Sequence, residues 1–530
     1  MGKGMRFETV LWLMFIPLVA GCSGGGGGGG AGSFTVGGTV TGLNGTLVLQ
    51  NNGGDDLTLT TDGAFTFAAS LADGSAYQVT VQGQPQGQLC SVGSGSGAVS
   101  GTKVTDVAVE CVDSGSLDRS FDTDGKAVND NAAGGSGADE GLSITTLAGG
   151  KVLVAGYSWN GTDDDMVIWR YTDNGTLDTS FGTGGIVVND NAAGGNGADH
   201  GVSITVDANG KILVAGYSWN GTDDDMAIWR YTGNGTLDTT FGTGGIVVQD
   251  DAAGGTGADR GASVTVDANG RILVAGYSWN GTDDDMVIWR YNGDGTLDTS
   301  FDTDGMVVHN SAAGGNGADH GWSVSTAANG KIVVAGDSWN GANSDMVIWR
   351  YNGDGTLDTS FDTDGIVVDD NAAGGTSGND SGQAVITDAN GKILVTGYSN
   401  HNPFDSDLAI WRYNGDGTLD TGFDTDGIVS HNNAAGGFGN DWGQSITIDA
   451  NGRILVTGSS DYGADFTMVI WRYNSDGSLD TTFGTGGIAG GEFVPGEGRS
   501  VTVDTSGRIL VTGGQGNGFA RDMVIWRYHP

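Results

Sequence analysis

From residue 116 onward the chain alternates short apolar runs with clusters of Gly, Asn and Asp, and no stretch carries a helical period. In one unit, residues 185–188, 201–206 and 211–216 read as strands. Asp207-Ala208-Asn209-Gly210 sits between the last two as a hairpin turn, with Asn-Gly supplying positive φ. Met166-Val167-Ile168-Trp169-Arg170-Tyr171, in the copy before, shows a fourth strand. Runs such as Ile212 to Ala215 are apolar at every position, which is the pattern of strands covered on both faces. The unit recurs. The Phe of Leu-Asp-x-x-Phe falls at 121, 181, 241, 301, 361, 423 and 483, and the Trp of Trp-Arg-Tyr at 169, 229, 289, 349, 411, 471 and 526. Seven copies of four strands predict an all-β chain whose residues 113–530 form a seven-bladed β-propeller of four-stranded blades.

The register of the copies predicts how the ring closes. The first copy opens with the strand around Lys126-Ala127-Val128, and the last ends on residues 523–528 without one. The opening segment, residues 125–130, is therefore expected to supply the outer strand of the last blade and so remove an exposed edge.

Ahead of the repeats, residues 33–112 hold six short alternating runs and read as a small β-sandwich, resembling the immunoglobulin-like or prealbumin-like modules of surface proteins. Cys90 and Cys111 are expected to form a disulfide that staples the module's last strands. Neither has a Cys or His at metal-ligand spacing, which argues against zinc. At the N-terminus, Lys3 and Arg6 precede an apolar segment from Val10 to Ala20 that is short for a membrane span. The following Val19-Ala20-Gly21-Cys22 resembles the lipobox of bacterial lipoproteins, which implies cleavage before Cys22 and lipidation of its thiol. Residues 1–21 are thus expected to be a lipoprotein signal peptide, and residues 22–32 the lipidated Cys and a Gly-rich tether. Ser23 rather than Asp follows the Cys, which by the same resemblance points to the outer membrane, periplasmic or surface-facing. The membrane is then a partner through the lipid anchor alone.

Charge narrows the partners. The 530 residues carry a net charge of −42 at pH 7, which excludes electrostatic attraction to nucleic acid or to anionic lipid and favours cations and cationic partners. The repeated Leu-Asp-x-Ser-Phe-Gly-x-x-Gly and Gly-Lys-Ile-Leu-Val-Ala-Gly motifs resemble the delta-60 repeat family of bacterial β-propellers across about residues 116–528. That resemblance implies architecture and no chemistry.

Each Trp-Arg-Tyr places an Arg inside an apolar strand, and each Leu-Asp-x-x-Phe offers an Asp; an ion pair in every blade is expected. The stretch from Asn292 to Asp298 partly resembles a calcium loop, but Arg290 stands where an acid is needed, so turn chemistry is expected there and no cofactor, with calcium left open. Two loops on one face are the candidate ligand site. One carries Asp139, Asp199, Asp259, Asp319, Asp380 and Asp441, expected to ring the channel mouth unless each caps its own turn. The other carries Trp159, Trp219, Trp279 and Trp339, which offer aromatic surface unless they cover blade edges. The six His form no catalytic or metal pattern; His200 and His320 share one repeat position. A catalytic site needs groups that the copies do not share, so the expectation is a non-catalytic, monomeric binding or scaffold protein for a glycan or cationic partner. The alternative is a propeller hydrolase or lyase acting on an extracellular polymer.

Overall fold

The computed structural model describes residues 32–530 except 328, 375–377, 403–404, 437–438, 463–464, 491–494 and 517–520. The expected signal peptide, Cys22 and all but the last residue of the tether lie outside them. Every described secondary-structure element is a β-strand.

Strands within Ser33–Asp113 form two four-stranded sheets around a shared core that includes Val36, Leu49, Phe67 and Val107. Cys90 and Cys111 are direct partners on the neighbouring strands Gln88–Gly93 and Val107–Asp113, and a disulfide joins them.

Among the described residues the repeats build seven further sheets, each an antiparallel meander of four strands. The second is representative: Asp199–Val206, Ile212–Trp219, Asp224–Tyr231 and Ile246–Gln249. Its first strand carries a bulge between Gly201 and Ser203, and every sister sheet has the same bulge. Gly216 is required beside it, because a Cβ there would lie 1.8 Å from the His200 carbonyl oxygen. The Asp207–Gly210 hairpin differs from the expected Asn-Gly turn. Gly210 alone takes positive φ (75°), and Asp207 Oδ1 caps the turn by accepting the Asn209 and Lys211 amides at 2.8 Å.

Sheets pack face to face, which is why the middle strands are apolar at consecutive positions. Leu153, Ala155, Met166 and Ile168 of the first sheet meet Ile212, Val214, Ala227 and Trp229 of the second. A polar link reinforces each junction. Arg290 donates through Nε to Asp298 Oδ2 (2.9 Å), lies 4.3 Å above the Phe301 ring, and reaches the Gly353 carbonyl of the next copy. The Arg–Asp pair forms in all seven copies, at 2.8 to 3.1 Å.

The seventh sheet takes its outer strand, Lys126–Asn129, from the start of the repeats, in register from Met523↔Asn129 to Trp526↔Lys126. Leu510, Met523 and Ile525 pack with Val154 and Trp169 of the first sheet. Arg527 pairs with Asp118 at 2.8 Å and stacks 4.6 Å above Phe121.

Candidate functional site

In such a meander, the start of the first strand, the hairpin from second to third strand, and the segment entering the next sheet all emerge on one face. All ten candidate residues lie there, but the Asp set does not face a channel. Asp139, Asp199, Asp259, Asp319, Asp380 and Asp441 are fully buried. Asp199 Oδ2 accepts the Asn191 amide at 2.9 Å, and Oδ1 accepts the Ala192 amide at 3.4 Å. Ser218 receives the next amide, Ala193, at 2.8 Å. The carboxylate thus fastens the segment that crosses from the preceding sheet. These carboxylates act as loop caps, the alternative the sequence left open, while Asp199 and Asp259 also stand in acidic groups close enough to hold a cation. Burial raises these carboxyls despite the donors, to about 6 for Asp259, Asp380 and Asp441.

Trp159, Trp219, Trp279 and Trp339 are partly buried. Each indole lies on a glycine of the same segment: a Cβ on Gly197 would stand 2.7 Å from Trp219, so only Gly fits beneath the ring. The other part of each indole stays accessible, which allows a packing role and a contact role together. Beside each Trp, an Asn gathers acids. Asn160 Nδ2 donates to Asp163 Oδ1 (2.6 Å) and Asp165 Oδ1 (2.7 Å), and Asn220, Asn280 and Asn340 repeat the arrangement, with Asn343 in place of the first acid in the fourth copy. Asp165, Asp190 and Asp199 place ligand oxygens within 4.8 Å of one another, as do Asp223, Asp225 and Asp250, a spacing that can hold a cation. Burial first, then the neighbouring acids, push Asp165 up to about 6 and Asp225 up to about 7.

The loop from Asn292 to Asp298 behaves as a turn. Asp294 Oδ1 accepts the Thr296 amide (3.0 Å) and hydroxyl (2.7 Å), and Asp298 is engaged by Arg290 and Ser300.

The structure also brings together residues that the repeat pattern had hidden. The position after each buried Asp holds Glu140, His200, Arg260, His320, Ser381 and Trp442, with Glu497 in the seventh copy. Most of these side chains bridge neighbouring sheets; Trp442 does so through Tyr398 of the fifth sheet (6.4 Å between centroids), whereas the ion pairs of Glu497 stay within the seventh. His200 stacks on Tyr157 of the preceding sheet (4.1 Å between centroids). Its Nε2 lies 3.2 Å from Asp164 Oδ2, and its Nδ1 lies 2.6 Å from the Tyr217 hydroxyl. Arg260 lies 4.6 Å above Tyr217 and donates to Asp224 Oδ2 at 2.5 Å. His320 sits between Asp284 (3.5 Å) and Asp337 (3.2 Å); burial opposes its charge, but bonds to both carboxylates outweigh this and push it up to about 9. Arg499 and Arg521 join Glu140 and Glu497 in an ion cluster, and Trp442 stacks on Phe466. The signal for this set was present in the sequence as one of two inner-strand positions where nearly identical copies diverge, the other holding Leu142, Val202, Ala262, Trp322, Gln383, Gln444 and Arg499.

Sheets of this repeat, linked at each junction, define a β-propeller repeat protein. Residues 150–181, 208–241, 268–301, 327–361, 389–423 and 450–483 match the family described as Domain of unknown function (DUF5122) beta-propeller, one stretch in each of the first six sheets. No curated protein matches the chain. Similar solved structures include the polysaccharide lyase Uly1 (11% identity, TM-score 0.43, 74% of this chain and 90% of that one). Chaetomium thermophilum Sqt1 is similar at 12% identity and TM-score 0.39, over 79% of this chain and 98% of that one. Trypanosoma rangeli sialidase in complex with sialic acid is similar at 13% identity and TM-score 0.34, over 76% and 56%. These likenesses carry no part of the functional argument.

Proposed function

We propose that this chain is a monomeric cell-envelope lipoprotein, exported by residues 1–21 and held by acylated Cys22, that acts as a non-catalytic binding or scaffold protein. In this reading residues 113–530 are a closed seven-bladed propeller and residues 33–112 a sandwich module that spaces it from the membrane. The ligand is a glycan or a cationic partner bound on the face with the Trp hairpins. The observation that carries the reading is the same device built in four consecutive sheets: a partly buried Trp beside an Asn that gathers carboxylates. Indole faces suit the apolar faces of sugar rings, amides and carboxylates suit hydroxyls or amines, and repetition raises avidity. The net charge of −42 favours a neutral or cationic ligand and disfavours nucleic acid.

The test is a binding screen of the full mature chain against neutral, amino-bearing and acidic glycans and a polycation. Replacing Trp159, Trp219, Trp279 and Trp339 together by Ala should abolish binding while circular dichroism stays unchanged. Undiminished binding by that variant would place the ligand elsewhere. A second reading, a polymer lyase or hydrolase, draws on the Asp164–His200–Tyr217 contacts, of which, among the described residues, His320 repeats only the half with Asp284. Release of new chain ends from a glycan, lost in His200→Gln, would favour it over the first.

A further inference from the structure

One junction between repeats lacks a contact that the others keep. In six copies the buried Arg of Trp-Arg-Tyr gives its Nη1 to a backbone carbonyl of the following copy: Arg170 to Gly233, Arg230 to Gly293, Arg290 to Gly353, Arg350 to Gly415, Arg412 to Ser475 and Arg527 to Asp173. Each acceptor stands two residues past the Tyr of that next copy. The Arg of the sixth sheet, Arg472, is equally buried, with its side chain 1% exposed. Its Nε bonds Asp480 at 2.8 Å and its Nη2 lies 3.4 Å from the Thr482 hydroxyl, but its Nη1 is a buried atom without a hydrogen-bond partner.

The acceptor that the repeat assigns to Arg472 is the carbonyl of Pro530, two residues past Tyr528. That oxygen instead accepts the Ser114 hydroxyl at 2.5 Å. Ser114 ties the N-terminal module to the repeats: its amide bonds the Gly87 carbonyl (2.9 Å), and its own carbonyl accepts the Gly484 amide (2.9 Å). Module residues 85–89 thus border a cavity of about 480 Å³, lined on the repeat side by Asn451, Arg453, Arg472, Ser506 and Pro530. A sister crevice of about 510 Å³ has the equivalent Asn209, Lys211, Arg230 and Gly293 in its walls, and there the Gly293 carbonyl satisfies the guanidinium. A buried guanidinium N–H without an acceptor is costly, and an oxygen placed where Gly293 stands in the sister crevice removes that cost. Burial first, then the neighbouring Arg453, hold Arg472 down at about 10. Asp449 is already bonded to Arg453 Nε (2.6 Å) and Asp480 to Arg472 Nε. The locus therefore suits one planar, singly charged acceptor. A dianion would meet repulsion from the two Asp, and an ammonium from the two guanidiniums.

We propose that the cavity between residues 85–89 of the module and the sixth and seventh repeat sheets binds one carboxylate, which accepts from Arg472 Nη1 with Arg453 beside it. A ligand there touches the module and the repeats together, so its binding fastens one to the other. The site lies at the strand ends opposite the Trp hairpins and does not depend on the ligand proposed for them. Few charge-assisted bonds in a partly open cavity set its affinity at roughly millimolar.

The experiment titrates the full chain with sodium acetate at constant ionic strength and follows saturation transfer to the acetate methyl by NMR, with inorganic phosphate as competitor. The expected result is saturable acetate binding that phosphate displaces only weakly. Arg472→Lys keeps the charge but not the planar fork, and should weaken binding by at least about tenfold. Arg453→Gln, on a partly exposed residue, should weaken it by at least about threefold and serves if the first variant folds poorly. Lys211→Gln, in the sister crevice, should leave it unchanged. No saturable acetate binding by the wild type, undiminished binding by folded Arg472→Lys or by Arg453→Gln, an equal loss in Lys211→Gln, or tighter binding of phosphate than of acetate would each overturn the assignment.

Discussion

Arg527→Ala tests whether the two ends of the repeat region are joined by the same contact that joins internal copies. Arg527 is buried, with its side chain 2% exposed, and its partner Asp118 side chain is 5% exposed. The guanidinium bonds Asp118 at 2.8 Å and the Ser120 hydroxyl at 2.9 Å, and lies 4.6 Å above Phe121. Truncation therefore removes a cation–π contact worth about 0.5–2 kcal/mol and strips buried Asp118 of its nearest cation, leaving it the Ser120 donors and the more distant Arg508 Nη1 at 4.0 Å. Breaking a buried pair in this way costs roughly 3–5 kcal/mol, most of it from the stranded partner. Arg290→Ala, in an internal copy with a 1% exposed side chain and the same partner types, should cost a similar amount. The double change Arg527→Met with Asp118→Asn removes both charges and keeps apolar bulk, and should recover more than half of the loss. Urea unfolding followed by the fluorescence of the buried Trp residues reads all three variants. A loss under about 1 kcal/mol for Arg527→Ala, or a double variant as unstable as the single one, would refute the account of the pair as a charge-matched fastening.

The remaining expectations concern pH, the disulfide and the anchor. Asp165, Asp285, Asp259, Asp380 and Asp441, pushed up to about 6, and Asp225, pushed up to about 7, owe the shift chiefly to burial. Their folded values exceed the unfolded one, so the stability they contribute is full below about pH 4 and is lost as pH rises through 6–7. His320, pushed up to about 9, has the same sign and loses its contribution as pH rises from about 6.5 through 9. Asp358 is held down at about 2; burial opposes this, but Ser360, Lys331 and Arg350 outweigh it, so its contribution is lost only in strong acid. The melting temperature should therefore be higher near pH 5 than near pH 8, and a flat or reversed profile would contradict the burial argument. Reducing Cys90–Cys111, whose sequence separation is 21, should destabilise the N-terminal module by roughly 3 kcal/mol and leave the repeat sheets unaffected; free thiols in protein isolated from the envelope would contradict it. Cys22→Ser should move the protein from the membrane fraction to the soluble one, and retention after a high-salt wash would show another anchor.

Much of the fold was legible because the copies act as one another's alignment. Leu-Asp-x-x-Phe and Trp-Arg-Tyr gave the period, and the missing last strand pointed to residues 125–130 as its supplier, which the pairing of Lys126–Asn129 with Asp522–Tyr528 matches. Side-chain direction in the loops was not legible. Nothing in the spacing tells whether Asp199 points outward or back at the amides of Asn191 and Ala192, because that depends on the path of the intervening Gly-rich segment. The same holds for the turn at Asn209-Gly210, where Asp207 decided the geometry. The bridging set was only half noticed, as the repeat position shared by His200 and His320, for a different reason: repetition drew attention to positions that stay constant, whereas Glu140, His200, Arg260 and His320 stand where the copies differ.

The pairing of Lys126–Asn129 with Asp522–Tyr528 also orders events in time. Synthesis delivers the first of these strands roughly 400 residues before its partner. Until then the strand has no sheet to join, and Asp118 lacks the Arg527 guanidinium. Because a contact of such sequence separation carries a high entropic barrier, it should form late in folding. A chain halted during export would therefore expose one free edge at each end of its repeats, and those two edges match each other between molecules as well as within one. Premature termination should thus yield linear chains of molecules joined end to end in preference to inert fragments.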